Sequence, residues 1–494
     1  MQFKELNKEW FGKIASNTSI LRITYIISLF LGMLAFGEVV SIVVNTFVLL
    51  WSIFVLKNNF IKSRDIFKIK YHKILFAFLI SCVCTSIINY QTNWFYNAFN
   101  IVMVYHSAVC FFLMYGLSAE KDEKSIQKEM IFIFKFITIS TTILTCLGFL
   151  VFAIKMQVNV GKYSLGIYNN RFIGLYENSN LAAFSCCLSI IFSHMLVSKS
   201  ILVGPCQNKM KKYFYIFSII INLCALLLTD SNASFLFLIV YTLVFIFYKL
   251  FSQKQDFSIW DILKRIVVLL LCCITLSFSL FTLREVFQEN IAIFINDIHK
   301  DGVIAQYHQS ESDNTIVDNQ VVEDQVAEDN QENPITIGRN PLSGNYDVSS
   351  GRITLLKQAI IIFKNHPIMG AGRGSLYEYA NKEIEGGLKF PDFHNGYMTI
   401  LVSWGIVGFL IFILFALLVA ISMCQKLFPK VITNKSNIYA CLFSMIVSYS
   451  IYSLFEKTIL TEITFMVVIF WLLLGYAVSY ANINNKDLKE TDQL

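Results

Sequence analysis

Residues 397–422 read YMTILVSWGIVGFLIFILFALLVAIS, 26 positions without one charged side chain. At ~1.5 Å rise per residue, a helix of that length exceeds the ~30 Å hydrocarbon core of a bilayer. Similar apolar blocks recur outward from it, near 20–37, 39–56, 73–90, 96–117, 130–154, 181–198, 213–229, 231–251, 264–283, 438–455 and 459–480. The chain has 494 residues, 55% hydrophobic and 15% charged, where soluble domains carry about a quarter charged residues. A soluble enzyme is excluded. Solid apolar blocks, rather than ~10-residue alternating segments, also exclude a β-barrel. The fold class expected is an all-α polytopic membrane protein with about twelve transmembrane helices and one large extracytoplasmic loop. Its parts are spans one to nine in 1–283, the loop in 284–396, spans ten to twelve in 397–480 and a tail in 481–494. Gly37-Glu38 and Thr229-Asp230-Ser231 are short enough to join neighbouring spans as helical hairpins.

Basic residues orient the spans, because cytoplasmic loops hold the excess of Lys and Arg. With the N-terminus inside, 27 of the 40 basic residues fall on the inner side, among them Arg22, Lys70, Lys135, Lys249 and Lys435. Nine of the other 13 lie in the long loop, which is exempt from the rule by its length. Both termini are therefore expected in the cytoplasm and the loop outside. The net charge of +6 is a sided quantity and no nucleic-acid signal. No cleavable signal peptide is expected, since the first apolar block is followed at once by a second. The 12 cysteines lie in spans or on the inner side without metal-ligand spacing, so neither a disulfide nor a metal role is expected.

The loop 284–396 holds 17 of the 34 acidic residues. Its stretch 308–333 has eight acids and no Lys or Arg, and is expected to be disordered or a flap. Further on, Ser350-Gly351-Arg352 precedes Ile353, Leu356, Ile360 and Phe363 at helical spacing. A Ser-capped amphipathic helix is expected over 350–366, with that stripe on the membrane surface or on the bundle. Arg352 in its first turn opposes the helix dipole, and together with the free N–H groups there makes a phosphate clamp. Gly370-Ala-Gly372-Arg373-Gly374-Ser375 follows. It reads either as a plain loop or as a tight turn whose N–H groups and Arg373 form an anion-binding concavity.

Phe393-His394-Asn395-Gly396-Tyr397 ends the loop at the mouth of the tenth span. A lone His is more often structural, but here it borders the one loop large enough to cover a site, and imidazole is the natural base for a hydroxyl near neutral pH. A second outer segment contains Arg171, Glu177, Asn178 and Asn180. Arg171 reads either as a site wall or as an interfacial cation paired with Glu177. His106 reads as a cavity or helix–helix contact. Glu456 and Lys457 read as a mutual pair or as groups facing the site, and Gly405-x-x-Gly408 as a close-packing motif.

Taken in order, Ser350-Gly351-Arg352, the amphipathic helix, Asn365-His366-Pro367-Ile-Met-Gly370-Ala-Gly372, His394-Asn395-Gly396-Tyr397 and Trp404-Gly405-Ile-Val-Gly408 resemble the O-antigen ligase/Wzy polymerase family. Arg171 to Asn180 resembles that family's upstream segment. The likeness covers about 168–480. It implies a glycosyltransferase of a bacterial cytoplasmic membrane, acting on undecaprenyl-diphosphate-linked oligosaccharide at the outer face without metal, cofactor or nucleotide sugar. It also implies His394 as the base on the acceptor hydroxyl and Arg352, with Arg171 or Arg373, on the diphosphate. Asn395, Glu177, Asn180 and Tyr397 would support them, and the loop would serve as lid or acceptor cradle. The same resemblance suggests a chain-length regulator and a flippase of one pathway as partners, and no nucleic acid. The sequence departs from the family at one point: the usual Thr-x-Ser-Arg is Thr229-Asp230-Ser231-Asn232 here, which leaves Arg171 as the nearest replacement cation. A polymerase reading leads. A ligase of the same fold, or a non-enzymatic exporter of lipid-linked oligosaccharide, are the alternatives.

Overall fold

The computed structural model describes residues 16–491 apart from 62, 91–93, 121, 156, 161–162, 199–200, 202–208, 253–257, 301–350, 389–392 and 429–432. The acidic stretch 308–333 lies outside the described residues.

Every apolar block of the sequence contains a helix. In chain order these are α1 (Thr18–Leu31), α2 (Glu38–Ile61), α3 (His72–Ile88), α4 (Trp94–Val109), α5 (Glu123–Lys155), α6 (Ser179–Val197), α7 (Lys209–Thr229), α8 (Asn232–Phe251) and α9 (Ile259–Lys300). After the long-loop helices α10 (Arg352–Asn365) and α11 (Leu376–Glu383) come α12 (Gly396–Cys424), α13 (Asn434–Tyr452) and α14 (Phe465–Thr491). Nine of the helices among the described residues are long and apolar enough to cross a membrane, while α1 and α3 are shorter apolar helices. The chain is an all-α polytopic membrane protein.

Burial grades the bundle from centre to rim. α14 is the central helix, buried along nearly all of its apolar length. Trp471 on it packs edge-on against Phe111 at 4.7 Å between ring centroids. α13 packs between α8 and α14, and its Tyr452 stacks on Phe184 of α6 at 5.6 Å. α9 sits at the rim and buries almost nothing along its membrane stretch. The exposed Val39, Val40, Ile42, Val43 and Phe47 of α2 would be an aggregation hazard in water, and in a bilayer they form a lipid face.

Several charged and polar side chains inside the bundle are held by neighbouring helices. His106 of α4 accepts or donates a 3.0 Å bond with Tyr25 of α1, so it joins helices. Arg22 is buried and clamped by two carboxylates, at 2.7 Å to Glu120 and 2.8 Å to Glu129. Tyr476 of α14 donates to the same Glu129 at 2.8 Å.

Four local features differ from the sequence reading. First, α9 has 42 residues and continues through Lys300, well past 283, because no Gly or Pro interrupts 284–300. Second, α14 starts at Phe465; Thr458, Thr461 and Thr464 help break the apolar block, so 453–464 form an irregular turn. Third, a small antiparallel sheet of β1 (Gln157–Val160), β2 (Tyr163–Tyr168) and β3 (Arg171–Gly174) follows α5. Asn169 and Asn170 both take positive φ, 49° and 59°, as a two-residue hairpin turn with the strands' own twist requires.

The fourth is in α12, where Gly405 is not a packing residue. Its φ of 63° and ψ of −173° break the helix in a conformation open essentially to glycine alone. Main chain from the long loop fills the break: Ala371 and Gly372 donate to Val402 and Ser403 at 2.9 Å each, and Ile406 donates to the Pro367 carbonyl at 2.9 Å.

Candidate functional site

Chain reversals bring five elements together at one end of the bundle. They are β3 with the start of α6, the α7–α8 turn, α9, the start of α10, and the loop before α12 facing the turn after α13. The sequence explains each placement locally. The Asn-Asn hairpin puts Arg171 at the head of β3, paired with Tyr168. Asp230, at φ 51°, ends α7 and lets α8 begin at Asn232 within two residues. Asn395 caps α12 by accepting from the N–H groups of Tyr397 and Met398 at 3.1 and 3.0 Å. His394, immediately before that cap, takes φ 44°, a left-handed conformation that His tolerates better than bulkier residues.

Glu456 is the hub. Its Oε2 lies 3.3 Å from His394 Nδ1. Its Oε1 accepts from Asn180 at 3.0 Å and lies 3.6 Å from an Nη of Arg352. Asn180 in turn accepts from Arg171 at 3.1 Å. Arg171 also donates through Nε to the Thr229 carbonyl at 2.8 Å and to the Asp230 carbonyl at 3.4 Å. Arg352 spreads its guanidinium over the Phe455 ring, 6.0 Å from the centroid, and its Nε is buried without a hydrogen-bond partner.

Of the residues singled out in the sequence, the structure thus assembles His394, Arg352, Arg171 and Asn180. Arg373 goes elsewhere. It is buried, donates to the Thr461 carbonyl at 3.1 Å and pairs with Glu462, which Lys457 also contacts at 2.8 Å. Burial alone would raise the Glu462 carboxyl, but Arg373 and Lys457 outweigh it and hold it at about 2. Nor does the glycine loop offer an anion concavity: the N–H groups of 371, 372 and 374 are taken by Val402, Ser403 and the Asn100 side chain. That loop is a strut because its donors are already used.

The supporting residues divide. Asn395 is the helix cap described above, and Tyr397 donates to the Ser450 carbonyl at 2.9 Å, so both position His394 from behind. Glu177 is exposed, with its main chain bonded to Met33 at 3.0 Å. For α10, the cap is Gly351 at φ 80° without a side-chain bond, not serine; Ser349 and Ser350 lie outside the described residues. Its packed face is Leu355, Ala359 and Ile362, while Ile353, Leu356 and Ile360 are exposed. Three residues of the sequence stripe therefore face outward while Phe363 packs inward, and the inward face uses the smaller Ala359 to approach α12.

One member was half foreseen and one was not. Glu456 read as a partner of Lys457 or as a group facing the site; it lies among His394, Asn180 and Arg352, while Lys457 pairs with Glu462. Arg284 was counted as loop; it lies on α9 and donates to Asp230 at 3.0 Å and to Asn232 at 2.7 Å. A charged residue just past eighteen uncharged positions, with no Gly or Pro between, was the available signal. Among the described residues no group of three or more His, Cys, Asp or Glu side chains converges as a metal site.

No curated protein matches the chain. Residues 217–413, from α7 through the long loop into α12, match the family model described as O-antigen ligase. This block, less than half of the chain, holds Asp230, Arg284, Arg352 and His394, and over it the chain is similar to that family.

Proposed function

We propose that the protein is a polymerase of lipid-linked oligosaccharide, working at the extracytoplasmic face of a bacterial cytoplasmic membrane with both termini in the cytoplasm. It moves a growing glycan from its undecaprenyl diphosphate carrier onto the next carrier-linked repeat unit. The observation that carries this reading is the His394–Glu456–Arg352 arrangement, one base and one cation on a single carboxylate.

The chemistry follows from which atoms face which. With Nδ1–H of His394 donated to Glu456, Nε2 is left as the basic nitrogen. Nε2 accepts the proton of the acceptor sugar hydroxyl while that oxygen forms a bond to C1 of the donor sugar. The bond from C1 to the diphosphate oxygen breaks, and its electron pair stays on the diphosphate. Arg352 and Arg171 face the charge that develops there, and guanidinium groups match phosphate oxygens two at a time. Glu456 stabilises the imidazolium formed midway, as a carboxylate behind a catalytic histidine does. The glycan is extended at its reducing end and lipid diphosphate is released.

Purified protein given synthetic lipid-diphosphate repeat units should produce a ladder of glycan lengths and release lipid diphosphate, with EDTA present or absent. Loss of the ladder with EDTA, or full activity in His394→Ala, would overturn this mechanism. The family description favours one second reading, a ligase that hands the glycan to a different terminal acceptor. In a strain lacking the protein, surfaces capped by single repeat units support the polymerase. Long chains left on the lipid carrier support the ligase.

A further inference from the structure

At the end of the bundle opposite His394, two lysines converge with no acid between them. α12 runs from Gly396 to Cys424, so this end lies roughly 40 Å from the candidate site at ~1.5 Å per residue. Lys70 precedes α3, and its ammonium donates to the Ser422 hydroxyl of α12. Lys426, four residues beyond Ser422, donates to the Asn482 amide oxygen of α14 at 2.9 Å. Both partners are neutral, and no described carboxylate pairs with either lysine. Burial, and then the Lys70 charge, hold the Lys426 ammonium below its ordinary pKa range. Two like charges that interact oppose folding until an anion joins them.

The placement of Lys70 is built into the backbone. Tyr71 takes φ 64°, left-handed backbone that a bulky residue seldom adopts. Its hydroxyl holds the Leu418 carbonyl at 3.2 Å, and its ring meets Phe415 edge-on at 6.4 Å between centroids. Tyr115 donates to the Lys70 carbonyl at 3.3 Å. The turn is thereby fixed on α12, with the Lys70 ammonium 4.9 Å from the Tyr71 ring centroid. A lysine that serves only orientation extends its ammonium into water, whereas both of these are half-buried between helices. Beside them, α12 exposes Leu410, Leu414, Leu417 and Ile421, at the spacing of one helix face. That apolar track ends next to Ser422.

We infer that Lys70 and Lys426 bind the phosphate of an anionic phospholipid, with an acyl chain lying along Leu414, Leu417 and Ile421. The leaflet is the one at this end of the bundle, cytoplasmic on the orientation proposed above. An ammonium has three donors, so each lysine keeps its neutral partner and still donates to a phosphate oxygen. Ser422 accepts from Lys70, which leaves its own O–H to donate as well. The lipid thus ties the turn before α3 to the ends of α12 and α14, and steadies the foot of the helix that carries His394 at its head. The inference does not rest on the transfer reading.

The test places the full chain in nanodiscs of phosphatidylcholine, adds phosphatidylglycerol in steps, and reads the melting temperature. A lipid that binds the folded protein alone should raise it by several degrees in the parent. In Lys70→Gln or Lys426→Gln, the phosphatidylglycerol fraction needed for half of that rise should increase about fivefold, as losing one lysine near a headgroup implies. The double Gln variant should lose most of the rise, and the double Arg variant should keep it. A merely structural role would lower every melting temperature together and leave the rise intact. Lys73→Gln, at an exposed position just after the same turn, should also keep the full rise. An unchanged rise in the double Gln variant, or an equal loss in Lys73→Gln, overturns the inference. Equal protection of the parent by inorganic phosphate in phosphatidylcholine alone would assign the lysines to a soluble anion and overturn the lipid.

Discussion

His394 and Glu456 come from opposite sides of α12 and α13, 62 residues apart, and meet at 3.3 Å. Because the same carboxylate also holds Asn180 and Arg352, the imidazole and the guanidinium cannot be placed independently. Glu456→Gln keeps the shape and removes the charge. In the ladder assay kcat is expected to fall ~10²–10⁴-fold with little change in KM. An unchanged kcat would show that the carboxylate has no part in the proton transfer.

Gly405→Ala is expected to be severe. The added Cβ would meet the Ile368 carbonyl carbon and oxygen and the Gly370 nitrogen, at a backbone angle that alanine disfavours by ~1–3 kcal/mol. Thermal unfolding in detergent should shift down by several degrees, and protease should cut the 366–375 segment faster. A variant as stable as the parent would show that the break can close into regular helix.

The Glu462 carboxyl, held at about 2 by Arg373 and Lys457 against the opposing effect of burial, predicts an acid-side loss of stability. Its pKa in the folded protein is depressed, so its contribution is present above the ordinary value of 4.5 and fades as pH falls toward about 2. Melting temperatures of the parent should drop between pH 4.5 and pH 2 more steeply than those of Glu462→Gln. Parallel curves would remove the ion pair as a source of acid sensitivity.

Two ion pairs at the other end of the bundle should differ in weight. Arg22→Ala strands the buried Glu129 beside Glu120, and breaking such a buried pair costs ~3–5 kcal/mol. Lys435→Ala breaks a pair with Glu123 that is about one-third exposed on both sides, worth ~1 kcal/mol or less. Monodisperse yield and melting temperature of the two variants should separate clearly.

The membrane fold was legible because uncharged length is a strong signal: each apolar block contains its helix. His394, Arg352 and Arg171 were legible because polar groups beside an outer loop are few. What stayed hidden depends on contacts between distant segments. Arg373 and Arg352 look alike as loop arginines, and only the positions of Glu462 and Glu456 separate a structural ion pair from a site cation. The glycine loop has the composition of an anion cradle, but Val402, Ser403 and Asn100 occupy its donors. Gly405-x-x-Gly408 has the spacing of a packing motif, and nothing local reveals the strand of loop that enters between its residues. Arg284 was hidden by an end assigned too early to α9.

The loop segment threaded through the break in α12 also bears on how bulky sugars travel. It is tied by main-chain bonds on one side and by Thr85 and Asn89 on the other, at 2.6 and 3.1 Å. Such a segment cannot swing clear once per cycle without unmaking the helix that follows His394. On the transfer reading proposed above, each lengthened glycan would leave around a fixed post, and the spacing between that post and its neighbours, rather than the speed of an opening gate, would set which side-branches the protein admits.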